Sequence, residues 1–125
     1  MRARIRIPIY EYWVHLLVEE KISSLIHKWC PDDHNGEEDT CKAITILKEQ
    51  NIFVFIRKEH LDYNTIAHEI DHVVTLLMRD IGMKETGDNE EAYAYLTGWL
   101  HGWTYETLRD KGAIVLYQDK KEPKI

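Results

Sequence analysis

The chain predicts an α+β domain, a small and mostly antiparallel sheet packed by helices, and three observations carry that expectation. Apolar residues alternate along the N-terminal stretch, the period of a half-buried strand, and two further β-type runs lie within 43–56. Two later segments repeat their apolar residues at helical spacing. The order is strand, helix, two strands, helix, helix, which places helices on one small sheet. At 125 residues there is room for one sizeable core, so 1–125 is read as a single domain.

Residues 2–18 read as extended chain. Apolar side chains fall on odd numbers through Ile9 and on even numbers at Tyr10, Tyr12, Val14, Leu16 and Val18, a phase change that predicts a bulge or break near Pro8. Ile22, Leu25, Ile26 and Trp29 follow at i, i+3, i+4 and i+7, so a short helix is expected over 19–29, stopped by Pro31. The segment 32–40 is acidic, holds Gly36 and has no apolar residue, which marks a solvated loop. Strand-like runs at 43–47 and 52–56, joined by Lys48, Glu49, Gln50 and Asn51, signal a hairpin. A helix is expected from an N-cap near Asn64, presenting Ile66, Ile70, Val73, Leu77 and Ile81 until Gly82. A second runs over 89–109 with Gly112 beyond it, and 113–117 reads as a last short strand.

Composition narrows the function classes. Hydrophobic content of 44% with 10% aromatics is that of a globular protein, and no run of about 20 apolar residues is present to span a bilayer. Arg2, Arg4 and Arg6 alternate with Ala3, Ile5 and Ile7, whereas a signal peptide needs an unbroken apolar block, so a cytoplasmic location is expected. A net charge of -6 argues against a nucleic-acid partner. Cys30 and Cys41 bracket the polar segment at a spacing unlike that of metal-binding pairs. Free thiols are the expected reading, with a loop-closing disulfide or a metal site shared with His34 as the alternatives.

The chemistry concentrates in His68-Glu69-Ile70-Asp71-His72, an H-E-x-x-H pattern inside the first long helix. Four residues on a helix advance about 400°, so both imidazoles emerge on one face a turn apart, where they can share one Zn²⁺. Glu69 stands beside them, placed to act on water as a general base. A catalytic zinc takes a third protein ligand, sought on the second helix. Glu91 begins a stripe of small residues, Ala94, Gly98 and Gly102, that would let the helices approach closely, whereas the i+3 neighbour of Glu90 is the bulky Tyr93. The helix-face argument therefore favours Glu91 over Glu90.

With these residues the chain resembles the gluzincin metallopeptidases, in which H-E-x-x-H is followed by a Glu on a downstream helix. It is similar to small single-domain zincin-like proteins of bacteria and their phages, whose downstream motif E-A-x-A-Y-L stands here as Glu91-Ala92-Tyr93-Ala94-Tyr95-Leu96. The likeness extends to an N-terminal strand over 5–10 and the hairpin over 41–56. It implies zinc bound by His68, His72 and Glu91, with Glu69 as general base, and it leaves the substrate open; the reading of the site as a zinc peptidase expects a peptide or protein. Many larger members carry Asp or Asn four residues after the ligand Glu, where this chain has Tyr95.

Rival expectations are a zinc-binding regulatory protein on the same scaffold without efficient hydrolysis, and a purely structural helical module. The aromatic residues of the second helix, Tyr93, Tyr95, Trp99, Trp103 and Tyr105, read first as core packing. His101, almost three turns after Glu91, is a candidate proton donor.

Overall fold

The computed structural model describes residues 1–113 and 115. Its elements are β1 (Arg2–Ile7), β2 (Tyr12–Glu19), α1 (Ser23–Trp29), β3 (Ala43–Lys48), β4 (Asn51–Arg57), α2 (Tyr63–Asp80) and α3 (Glu90–Asp110), with single 3-10 turns at Pro31–Asp33, Glu38–Thr40 and Lys58–His60. The expected α+β class is what forms. Four strands in the order β1-β2-β4-β3 make one mixed sheet, antiparallel except for the central β2–β4 pair.

Of the expected bulge or break near Pro8, it is a break that forms, a hairpin turn. Ile7 pairs with Tyr12, and the four residues between them turn the chain back, with Glu11 in the left-handed region at φ 58°. The expected strand over 5–10 therefore ends at Ile7, and Ile9 sits 86% exposed at the turn. Strand β2 runs to Glu19 because its pairing with β4 continues to Glu19–Arg57, which delays α1 to Ser23.

Period-2 alternation splits the sheet into two faces. Tyr12, Val14, Leu16 and Val18 of β2 and Ile52, Val54 and Ile56 of β4 face α2 and α3, and the main core lies there. On the opposite face α1 packs Ile22 and Ile26 on Leu17, Phe53 and Phe55. Strand β4 is buried on both faces, which explains its continuous run of apolar residues from Ile52 to Ile56.

Helix α2 is capped by Asp62, not Asn64. The Asp62 backbone is extended and its carboxylate accepts the Thr65 N–H at 2.7 Å, satisfying one of the free donors of the first turn. The helix buries Ile66, Ile70, Val73, Val74, Leu77 and Met78, and Gly82 at φ 80° ends it. The Tyr12 hydroxyl donates to Asp80 and ties the sheet to the end of this helix. That bond, with burial and the Asp80 charge, pushes the phenol up to about 12. The expected strand over 113–117 lies largely outside the described residues. No helix among the described residues is long and apolar enough to cross a membrane.

Candidate metal centre

Helix geometry brings His68, Glu69 and His72 together at the flank of α2 that faces β3. Each offers a ligand atom, and these atoms lie within 4.8 Å of one another. The two Nε2 atoms are 3.0 Å apart. Two nitrogens each about 2.1 Å from one tetrahedral zinc would stand about 3.4 Å apart, so a small rotation of either ring fits the pair to a single ion. Both rings are exposed, so an ion or a substrate can reach them.

Glu69 differs from its neighbours in being 4% exposed. The Thr45 hydroxyl of β3 donates to its Oε1 at 2.9 Å, and its Oε2 stands 3.8 Å from His68 Nε2. That second oxygen has no hydrogen-bond partner among the described residues, and no sealed side-chain polar atom among them lacks a partner. Oε2 therefore reaches solvent. One oxygen of the carboxylate is anchored and the other is presented to the histidines.

A cleft of about 350 Å³ opens beside the group, lined by Lys42, Ala43, Asn64, Thr65, His68 and Glu69. One wall is the start of β3, which among the described residues is an edge strand paired with β4 alone. Lys42 and Thr45 were not legible as site residues. An alternating strand shows which face a side chain takes but not which helix lies over it.

Glu91 is not brought to the pair. It is exposed on the first turn of α3 and lies outside the group that offers metal ligands. Two contacts show why. Tyr93 donates its hydroxyl to the Met83 carbonyl at 2.7 Å, just past the end of α2, and the Tyr105 ring lies 5.7 Å from Tyr63 at its start. The helices are antiparallel, so Glu91 is level with the far end of α2, and the eight residues from His72 to Asp80 alone span about 12 Å.

The small-residue stripe does not make a helix contact. Ala94, Gly98 and Gly102 are exposed, and a Cβ added at Gly98 or Gly102 would meet nothing within 4 Å. Instead α3 buries Leu96, Leu100, Thr104 and Leu108, a second stripe at the same spacing. Burying a leucine is worth about 1.5–3 kcal/mol, more than close backbone approach returns, so the larger stripe wins the core. The aromatic residues divide accordingly. Tyr93, Trp103 and Tyr105 pack on the core, whereas Tyr95 is 75% and Trp99 43% exposed. His101 stacks on Tyr105 at 5.9 Å and is not part of the metal group.

Both cysteines are free thiols, Cys30 buried and Cys41 exposed, and burial pushes the Cys30 thiol up to about 11. His34 Nδ1 lies within hydrogen-bond distance of Glu38 Oε1 at 2.9 Å, and no metal group among the described residues includes it.

No protein-family model, no curated protein and no solved structure matches the chain.

Proposed function

We propose that the chain is a zinc-dependent peptidase in which His68 and His72 hold the metal and Glu69 is the general base. The observation that carries this reading is the pairing of two exposed, converging imidazoles with a buried carboxylate that keeps one oxygen free beside them. The resemblance to gluzincin-type proteins of bacteria and phages points the same way.

When bound, zinc supplies Lewis acidity and brings the pKa of water toward about 7. The chain's own residues do the rest. Glu69 takes a proton from the attacking water on Oε2 and passes it to the leaving amine, while Thr45 holds Oε1 and fixes the carboxylate plane. Among the described residues the outer edge of strand β3 pairs with no other strand, and an extended peptide could pair there as an added strand. Lys42, which lines the same cleft, would offer a cation to charge developing on the carbonyl oxygen.

A second reading is a zinc-binding interaction protein that does not hydrolyse efficiently. It is favoured by the position of Glu91, away from the only group among the described residues that could hold a metal, His68, Glu69 and His72. One experiment separates the readings. Protein purified without chelator is assayed for metal and incubated with a degenerate peptide library beside Glu69→Gln. The peptidase reading expects near-stoichiometric zinc in both proteins and cleavage by wild type alone. Zinc without cleavage selects the interaction protein, and folded protein that takes up no zinc removes both.

A further inference from the structure

The sheet face away from α2 and α3 carries a second, unrelated constellation. The pairing register puts Arg2, Arg4 and Arg6 of β1 opposite Leu17, His15 and Trp13 of β2, and these in turn beside Phe55, Phe53 and Asn51 of β4. Directly paired residues share a face, so the arginines and the aromatic rings stand on one surface. Helix α1 covers its Leu17–Phe55 end and leaves the rest as a groove of about 390 Å³, lined among others by Arg2, Arg4, His15, Trp29 and Phe53.

Within that groove the guanidiniums are set on rings rather than on carboxylates. Arg2 lies 5.1 Å from the Trp29 ring centroid and Arg4 lies 4.8 Å from that of Trp13. Arg6 pairs with Glu11 at 3.2 Å, but neither Arg2 nor Arg4 has an acidic partner among the described residues. Between them the His15 ring stacks on Phe53 at 4.5 Å and 13°, held in plane by a 3.0 Å hydrogen bond between Nε2 and Asn51 Oδ1. Burial lowers the His15 pKa, the Asn51 bond opposes that, and Arg4 and Arg2 add to the lowering, which favours the neutral ring. The net charge of -6 conceals this strip, because the acidic excess lies elsewhere.

We propose that this face binds single-stranded nucleic acid, with phosphates on Arg2 and Arg4 and a base stacked at His15. Unpaired guanidiniums call for an anion, and the interleaved rings call for flat partners. A nucleotide strand offers both at every step, whereas an acidic peptide offers only the charge. Arginine already resting on an aromatic ring can also take a base on its own outer face.

The test is fluorescence anisotropy of a labelled oligothymidylate of about 12 nucleotides titrated with the whole chain at low salt. Saturable binding is expected, with a log–log salt slope of about -1.4 for two neutralised phosphates. The double variant Arg2→Gln/Arg4→Gln alters exposed side chains and should keep the wild-type thermal midpoint while binding at least about 10-fold more weakly. His15→Ala should weaken binding about 5-fold or more through lost stacking. No binding overturns the proposal, as does binding indifferent to the arginine pair. Displacement by polyglutamate as effective as by unlabelled oligothymidylate also overturns it, since the face would then recognise charge alone.

Discussion

Glu38 and Glu69 are both buried carboxylates, 3% and 4% exposed, and the protein treats them in opposite ways. Around Glu38 both oxygens are engaged. Oε1 accepts the Asn35 N–H at 2.7 Å and meets His34 Nδ1 at 2.9 Å, and Oε2 accepts the Ser23 hydroxyl at 3.2 Å. Its neighbour Asp39 accepts the Ile22 and Ser23 N–H groups at 2.6 and 3.1 Å, capping α1 from outside. Glu69 has one anchor, Thr45, and one oxygen turned toward His68. A carboxylate with both oxygens engaged holds structure, and one held half-engaged beside two imidazoles is available for chemistry.

The sharpest way to break that contrast is to neutralise each carboxylate without changing its shape. Glu69→Gln should lower peptide hydrolysis by about 10²-fold or more, since no base remains. Its thermal midpoint should stay at the wild-type value or rise, because a buried charge with few partners is removed. Glu38→Gln should do the reverse, sparing the rate and lowering the midpoint. Parallel activity and melting measurements on both variants decide it, and a Glu69→Gln protein that melts early while still cleaving would invert the assignment.

Metal affinity extends the comparison from the two acids to the ligands. His72→Ala removes one of the paired donors and should weaken zinc binding more than about 100-fold, beyond what loss of an outer-sphere partner costs. Glu91→Ala should change it less than about 3-fold if the antiparallel α2–α3 packing persists with metal bound. Competition with a chromogenic chelator reads both. A loss at Glu91 equal to that at His72 would mean that the first turn of α3 swings toward the site when zinc enters.

The contrast also marks what a sequence can and cannot disclose. The register of α2 was readable because Ile66, Ile70, Val73 and Leu77 repeat on one face, and the position of His68 and His72 follows from that register. The register of α3 was ambiguous, since Leu96, Leu100 and Leu108 and the stripe Ala94, Gly98 and Gly102 share one period, and only packing chooses between them. The Glu38 cluster looked like a solvated loop because hydrogen-bonded carboxylates have no periodicity. The phase change before Tyr12 left a bulge and a break equally open, because either device shifts alternation by one residue and no glycine marked the turn.

Acid should expose the Glu38 cluster before anything else. Burial alone would raise this carboxyl, but the Asn35 N–H, its own backbone N–H, Ser23 and His34 outweigh it and hold the group down at about 2, against an ordinary 4.5. A depressed folded value means that the stabilisation is complete above the unfolded pKa and is lost as pH falls from about 4.5 toward 2. The midpoint of wild type should therefore drop across that window more steeply than that of Glu38→Gln. Identical slopes would show that the cluster does not depend on the ionised acid.

The smallest expected effect tests the anchor itself. Thr45→Val keeps the shape of the strand residue and its β-branching but removes the hydroxyl that donates to Glu69 Oε1. A single hydrogen bond to a charged group is worth about 1.5–3 kcal/mol when lost, but water can enter the cleft beside β3 and replace part of it. The carboxylate then rotates more freely, so kcat should fall about 5-fold with KM little changed, because Thr45 positions the base and binds no substrate. Thr45→Ser restores the donor and should recover most of the rate. If Val and Ser reduce it equally, the strand packing rather than the hydrogen bond sets the carboxylate, and Glu69 would be held in place by burial alone.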